Sequence, residues 1–189
     1  MSKIGVLIEA MENEVKAANF GVIAGARGES GNEIYAFVLN ANADACKDDL
    51  QEYGVQKIVE VSVEGAADLA FSPDLKARAL ADAMKKLKIT VLFGLSSATG
   101  RDLLARVAAF LDAPLALDCV GVNLAESTVI KSHFSGKTFA TIKLSGEYLV
   151  CGIRPNAIEP RAEPCDAEVI CYQSSTKDSG RLVVREVFR

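Results

Sequence analysis

The stretch of this chain best suited to bind a ligand lies near its middle, where an apolar run gives way to small polar residues. Its glycine, hydroxyl and basic residues are Gly94, Ser96, Ser97, Thr99, Gly100 and Arg101. A helix is expected to open here, and the free N–H groups and dipole at a helix N-terminus favour an anion. In open α/β sheets, ligands also bind beyond the carboxyl ends of strands. These six residues therefore predict a phosphate site, for which AMP is a candidate ligand.

An alternative interpretation of the same stretch needs no ligand. Thr99 would cap the helix, with Asp102 three residues later as its acidic partner, and the first turn would pack on a neighbouring loop or subunit. The residue types fit both interpretations, so both are kept.

Residues for other chemistry are scarce. His133 is the only histidine, and no G-x-S-x-G nucleophile turn accompanies it. The first apolar run is followed by Glu9 and Ala10 rather than by a glycine-rich turn for a dinucleotide. Gly136, Lys137 and Thr138 resemble the end of a P-loop, but the first glycine of that motif is missing. No metal-ligand spacing is present. We therefore expect a protein with no catalytic residues and no metal site.

Composition limits the class of protein. The chain has 189 residues, of which 50% are apolar and 24% charged, so we expect one globular domain over residues 1–189. The net charge of −4 and the absence of Trp argue against nucleic-acid binding. No apolar run has the length of a membrane helix or a signal peptide, so we expect a cytoplasmic protein without membrane contact. The five cysteines form no C-x-x-C pair and predict reduced, structural thiols.

The elements that must position these residues alternate between strands and helices. Strands are predicted at 3–9, 33–40, 57–61, 89–93 and 116–122. Helices are predicted at 11–27, at 44–53, from Ser72 onward and at 100–111. This alternation, with near-continuously apolar strands, indicates βαβ units and a parallel sheet covered on both faces. The fold class is α/β: a three-layer, doubly wound, mostly parallel sheet.

The pattern changes after residue 122. Segments 126–131, 138–144 and 148–153 are strand-like with short turns between them, and they predict an antiparallel extension of the sheet. An irregular crossing segment follows at 154–164, and two last short strands are predicted at 168–172 and 182–188. Residues 1–122 thus form the predicted parallel core, and residues 123–189 the extension.

Three pieces of this chain stand out: the segment SSATGRDLLARVAAFLDAP, the aspartate Asp118, and the stretch from Lys131 to Ile142 with Arg154 after it. Together they resemble the N-terminal domain of the electron transfer flavoprotein alpha subunit. The segment SSATGRDLLARVAAFLDAP is similar to that family's small-hydroxyl run and following helix. Asp118 matches an aspartate found after that helix. The stretch from Lys131 to Ile142 resembles the family's R-P-x-Y-x-G-N-A hairpin, with Lys131, Ser132 and Lys137 in place of Arg, Pro and Asn. Arg154 matches the arginine of a T-V-R-P strand.

The resemblance implies a fold, partners and a cofactor. The fold is Rossmann-like, similar to the adenine nucleotide alpha-hydrolases. In the family this domain packs on a beta subunit and forms a base for a second domain, which holds FAD and passes electrons from dehydrogenases. We expect that FAD domain to lie outside residues 1–189, so this chain alone would not bind FAD. The resemblance therefore implies a non-catalytic scaffold that docks a beta-like subunit, a separate FAD domain, or both.

Two further expectations accompany this interpretation. The alternative function is a stand-alone adenine-nucleotide-binding module of the same fold, which would use the residues between Ser96 and Arg101. A domain that evolved to cover a large partner surface is also expected to pair with itself as a homodimer.

Overall fold

Strands and helices alternate over most of the computed structural model, which describes residues 2–28, 31–39, 41–66, 69–178 and 182–186. The strands are β1 (Lys3–Leu7), β2 (Ala10–Met11), β3 (Glu14–Val15), β4 (Glu33–Val38), β5 (Lys57–Val63), β6 (Val91–Leu95), β7 (Leu115–Asn123), β8 (Thr128–His133), β9 (Thr138–Lys143), β10 (Leu149–Ile153) and β11 (Glu168–Ser174). The helices are α1 (Ala18–Arg27), α2 (Lys47–Glu52), α3 (Pro73–Leu87) and α4 (Ala98–Leu111). Short 3₁₀ turns lie at Leu69–Phe71 and Phe134–Gly136.

Nine strands form one sheet in the order β11-β5-β4-β1-β6-β10-β7-β8-β9, of which the first seven are parallel. Residues that alternate along β1 face opposite sides: Val6 lies in a core shared with α1 and α2, and Leu7 in a core shared with α3 and α4. Burial on both faces is what a near-continuously apolar parallel strand requires. The predicted three-layer, mostly parallel α/β fold is confirmed.

The prediction that segment 148–153 belongs to the antiparallel extension is wrong. β10 lies inside the parallel sheet, hydrogen-bonded to β6 on one side and β7 on the other. Val150, Cys151, Gly152 and Ile153 are all buried, which is the pattern of an inner strand rather than of an extension. The predicted extension is therefore reduced to β8 and β9, which run antiparallel to each other beyond β7.

A reversal of β7 explains how β10 enters the sheet. Leu115 begins β7 beside Val150 near the amino edge of the sheet, yet Leu124, just past its end, lines a surface cavity with Ser2 and Val91 at that same edge. A straight strand of nine residues would instead carry the chain roughly 30 Å away. The β7–β10 ladder shifts register between Ala116 and Cys119, and the β7–β8 ladder shifts between Cys119 and Gly121. Asp118, inside the first of these irregularities, has a left-handed φ of +64°. The chain thus returns to the amino edge, where the Leu149 N–H donates to the Thr90 carbonyl (2.8 Å) and starts β10.

Two other predicted elements differ from the structure. The helix predicted at 11–27 begins only at Ala18, because Glu12 and Asn13 adopt positive φ and close a tight β2–β3 hairpin. Of the strand predicted at 182–188, residues 182–186 lie in no strand, and the remaining two are outside the described residues. β11 does form, parallel to β5 at the far edge.

The segment predicted as irregular crosses α1 on its way to that edge. A Cβ on Gly21 would lie 2.2 Å from the Ile158 carbonyl oxygen, so only glycine admits this approach. The buried Arg27 guanidinium donates to the carbonyls of Tyr53 (2.7 Å) and Arg161 (3.0 Å), which fixes the segment beside α2.

Asp82 attaches β11 to α3. Its carboxylate accepts hydrogen bonds from the hydroxyls of Tyr172 (2.9 Å) and Ser174 (2.7 Å) and from the backbone N–H (2.9 Å) and hydroxyl (3.1 Å) of Ser175. Burial alone would raise the pKa of Asp82, but these hydrogen bonds together outweigh it and hold the pKa below its usual value. The ionised carboxylate is therefore the form that stabilises the edge strand.

We predict that Asp82→Asn lowers the free energy of unfolding by about 2 kcal/mol at pH 7, the scale for hydrogen bonds to a charged group. Because the folded-state pKa is depressed, the stabilisation is present above the unfolded pKa of about 4 and is lost as pH falls through the folded value. Urea denaturation should show a difference in the free energy of unfolding between the two proteins at pH 7, and this difference should decrease towards pH 3. A difference that stays constant over that range would contradict the assignment.

We also predict that the thiols differ sharply in reactivity. Cys46, Cys119 and Cys151 are buried, and burial raises the pKa of Cys119 to about 11 and of Cys151 to about 12. Cys171 is exposed. Because the thiolate is the reactive form, Ellman's reagent at pH 8 should label Cys171 quickly and the three buried thiols only after unfolding. Cys171→Ser should remove the fast phase; its persistence would refute the placement of these residues.

Candidate functional site

The six residues predicted to hold a phosphate lie at the carboxyl end of β6 and the start of α4, but they do not face one common space. Gly94 lies within β6, and a Cβ there would meet both methyl groups of Leu104 at 3.2 Å. Its lack of a side chain serves the packing of α4 on the sheet. Ser96 is buried, Ser97 is half-buried, and Thr99 and Arg101 are exposed.

Ser97, and not Thr99, caps α4. The Gly100 N–H donates to the Ser97 hydroxyl oxygen (2.9 Å), and Ser97 has the extended backbone of an N-cap, whereas Thr99 is already inside the helix. Asp102 is not part of a capping box, because its carboxylate accepts a hydrogen bond from Arg106 one turn later (2.9 Å). The Thr99 prediction is therefore wrong, by two positions.

A carboxylate of the protein itself occupies the space in front of this cap. The Ser97 hydroxyl donates to Glu9 Oε1, and a Cβ on Gly100 would come within 3.0 Å of that oxygen. Lys16 Nζ lies 2.7 Å from the other carboxylate oxygen. Since the N-terminus of a helix attracts negative charge, Glu9 lies where a bound phosphate would be expected.

The Asn19 side chain holds the backbone of Glu9 in place through two hydrogen bonds. The Glu9 backbone N–H donates to Asn19 Oδ1 (3.2 Å), and Asn19 Nδ2 donates back to the Glu9 carbonyl (2.8 Å), with Asn19 fully buried. The sequence placed Glu9 only as the end of the first strand. Its position after β1, beside the strand that leads into α4, was the available signal for this contact.

A cavity of about 280 Å³ adjoins Glu9 between the ends of β1 and β4 and the first turn of α4. Most of the residues around it have aliphatic side chains, but Glu9, Lys16, Lys76 and Thr99 give the lining a substantial polar share. Burial lowers the pKa of the Lys76 ammonium. This volume of about 280 Å³ is just below the ~300–1,000 Å³ that small-molecule sites occupy. With a carboxylate at the helix N-terminus, these residues do not fit the pyrophosphate of FAD.

Ser96 and Arg101 belong to a second cluster on the other side of α4. Arg101 Nε donates to the Ser96 carbonyl (3.0 Å), and the Ser96 hydroxyl accepts from the Asp118 N–H (2.8 Å). The Asp118 carboxylate accepts two hydrogen bonds from Arg154, at 3.0 and 2.6 Å, and lies 3.4 Å from Arg101 Nη2. Hydrogen bonds from Arg154 hold the pKa of Asp118 below its usual range, against the opposing effect of burial.

These contacts join residues that are distant in the sequence. Arg101 lies in the first turn of α4, Asp118 at the reversal of β7, Ser132 one residue before the end of β8, and Arg154 directly after β10. Arg154 Nη2 also donates to the Ser132 hydroxyl (2.9 Å). Each of these residues lies in a motif on which the family resemblance rests, so the structure brings the separate motifs into one place.

A family model described as the electron transfer flavoprotein domain matches residues 4–175, which is most of the chain. The chain belongs to the electron transfer flavoprotein domain family. Family membership links it to electron transfer and confirms the resemblance to the alpha-subunit N-terminal domain.

Curated relatives agree with this assignment. The electron transfer flavoprotein subunit alpha of Bacillus subtilis is 26% identical over 161 residues, covering 83% of this chain and 49% of the relative. That of Clostridium acetobutylicum is 29% identical over 134 residues, covering 68% and 39%. The lactate dehydrogenase (NAD(+),ferredoxin) subunit LctC of Acetobacterium woodii is 28% identical over 145 residues, covering 74% and 34%. The chain thus spans about half the length, or less, of these relatives.

Neither a metal-binding cluster nor a membrane-spanning helix is found in the described residues. Within the ranges given above, no three His, Cys, Asp or Glu side chains gather in a way that could hold a metal ion. No helix of the described part of this electron transfer flavoprotein domain has the length and apolar character needed to cross a bilayer. Phosphate binding by the six predicted residues stays a prediction.

We predict that Ser97→Ala lowers the free energy of unfolding by about 1–2 kcal/mol, because it removes the helix cap and the hydrogen bond to Glu9. Thr99→Ala removes a hydroxyl from the same turn and should change stability by less than about 0.5 kcal/mol. Both values come from urea denaturation followed by circular dichroism. A larger loss for Thr99→Ala than for Ser97→Ala would restore Thr99 as the cap.

Proposed function

We propose that this chain is a non-catalytic, alpha-type scaffold of an electron transfer flavoprotein and that it docks a beta-like subunit through the β8–β9 hairpin. The exposed apolar face of that hairpin carries the proposal. The flavin would be held by the assembly rather than by this chain, since the carboxylate of Glu9 lies at the helix N-terminus where a phosphate would bind.

The hairpin presents apolar side chains to solvent. Phe134 is 78% exposed, Phe139 67% and Ile130 42%. By register, Ile130 pairs with Thr141 and Ser132 with Phe139, so Ile130 and Phe139 project from the same face. Exposed aromatic residues of this kind are typical of protein interaction sites.

The hairpin is also an open edge. β9 is the last strand of the sheet and pairs on one side with β8. Its outer backbone groups are therefore able to add a strand or loop from another chain. Loop and strand addition at an edge commonly combines main-chain hydrogen bonds with side-chain pockets.

Charge specifies the kind of partner. Residues 128–143 contain three lysines, at positions 131, 137 and 143, and no Asp or Glu. A second copy of the chain would bring the same lysines face to face, whereas an acidic and apolar surface would be complementary. This favours a different chain over self-association through this face, and in this family the beta-like subunit is the candidate.

The stand-alone nucleotide-binding module is less well supported. It requires an anion in front of Ser97 and Gly100, where the Glu9 carboxylate already interacts with Ser97 and Lys16. A nucleotide there would have to displace the buried Glu9 carboxylate from its contacts with Ser97 and Lys16.

We predict that replacing both Phe134 and Phe139 with Ser weakens binding of the beta-type electron transfer flavoprotein subunit from the same organism by at least about tenfold, because a few buried aromatic residues carry most interface energy. The two chains are produced together, and binding is measured by pull-down and analytical ultracentrifugation.

Phe71→Ser serves as the matched control. Phe71 is 50% exposed but lies in the 3₁₀ turn before α3, away from the hairpin, so its replacement should leave binding unchanged. Absence of any complex with the unaltered chain, or equal binding by the double variant, would refute the docking proposal. Circular dichroism confirms that each variant is folded.

A further inference from the structure

We propose that Arg101, Arg154 and Lys131 form a receptor for one oxyanion, a phosphate or carboxylate group, beside Asp118. This receptor is separate from the cavity at Glu9 and uses different donors. It does not depend on the docking proposal, because a small anion alone should bind.

The two guanidinium groups are held in place but not fully used. Arg154 donates through Nε and Nη2 to Asp118 and Ser132. Arg101 donates through Nε to Ser96 and through Nη2 to Asp118. The Nη1 group of each donates no hydrogen bond to any residue in the described part of the chain. Arg101 and Arg154 side chains are 53% and 40% exposed, so these donors are accessible to a ligand.

One buried residue positions both arginines. Ser96 accepts from Arg101 through its carbonyl and from the Asp118 N–H through its hydroxyl, and Asp118 in turn orients Arg154 by a two-point contact. Asp118 achieves this with a left-handed backbone (φ +64°), a conformation that non-glycine residues adopt at a cost. Pre-oriented arginine forks of this type suit planar or tetrahedral oxyanions.

The positive charges around Asp118 outnumber its single negative charge, so a bound anion would balance the excess. Arg154 contacts the Asp118 carboxylate at 2.6 Å and Arg101 lies 3.4 Å from it, while Lys131 pairs in register with Cys119, the next residue along β7. Three positive charges therefore lie around one negative charge. Arg106, on the same helix as Arg101, shows the opposite balance. It contacts the carboxylates of Asp74 and Asp102 and carries no excess positive charge.

The test is an NMR titration of the ¹⁵N-labelled chain with sodium phosphate and, separately, sodium succinate, each against sodium chloride of equal ionic strength. The Nε–H signals of Arg101 and Arg154 should shift and saturate, and that of Arg106 should not. Saturation by phosphate alone assigns a free phosphate-type ligand. Equal saturation by succinate assigns an acidic side chain of a partner, and either result supports the receptor.

Variants separate the receptor from general charge effects. Arg154→Gln and Arg101→Gln should each raise the dissociation constant about tenfold, the scale of one lost charge-assisted contact. Arg106→Gln removes the same charge from the same helix and should change nothing. Shifts no larger than those in chloride, or equal weakening by Arg106→Gln, would overturn the proposal.

Discussion

The left-handed backbone at Asp118 is the constraint on which the arrangement of β10, β7, β8 and β9 in the sheet depends. A strand that continued straight would leave the chain at the carboxyl edge of the sheet, with no short route back. Because β7 reverses there, the chain returns to the amino edge, and the gap between β6 and β7 can be filled by β10. The same reversal sends β8 and β9 outward as a hairpin with one free edge. The insertion of β10 into the sheet and the exposure of the β8–β9 hairpin thus both follow from the turn at Asp118.

The energetic logic of that turn is visible in its contacts. Positive φ at a non-glycine residue costs on the order of 1 kcal/mol, and persists only when the surroundings over-determine it. Here the Ser96 hydroxyl accepts the Asp118 N–H, the Arg154 N–H donates to the Cys119 carbonyl, and the Asp118 carboxylate is clamped by Arg154. The Asp118 side chain therefore supports the backbone geometry of the turn as well as its charge balance.

Local sequence was sufficient for the parallel core and insufficient for the path through it. Apolar runs and helix stops defined β1, β4, β5, β6, α3 and α4 to within a few residues, because each is set by neighbours in the chain. The place of β10 could not be read from its own residues, since LVCGI fits an inner strand of either direction. Its place is decided by the reversal at Asp118, which the sequence marks only as an aspartate inside an apolar run. The β2–β3 hairpin was missed for a similar reason, because Glu12 and Asn13 also continue a helical pattern.

At the candidate site, local sequence likewise predicts the electrostatic preference of the helix N-terminus but not the group that satisfies it. Small hydroxyl residues before a helix do predict an anion at its N-terminus, and an anion is there, but it is Glu9, which is 88 residues away from Ser97 in the chain. With that carboxylate and Lys16 at the helix N-terminus, exposed cationic donors for an anion are found on the other side of α4, at Arg101 and Arg154. In this chain Ser132 of β8 links the Asp118 cluster to the basic, apolar hairpin through its hydrogen bond with Arg154. An oxyanion bound at the cluster and a protein partner docked on the hairpin would therefore both act on β8.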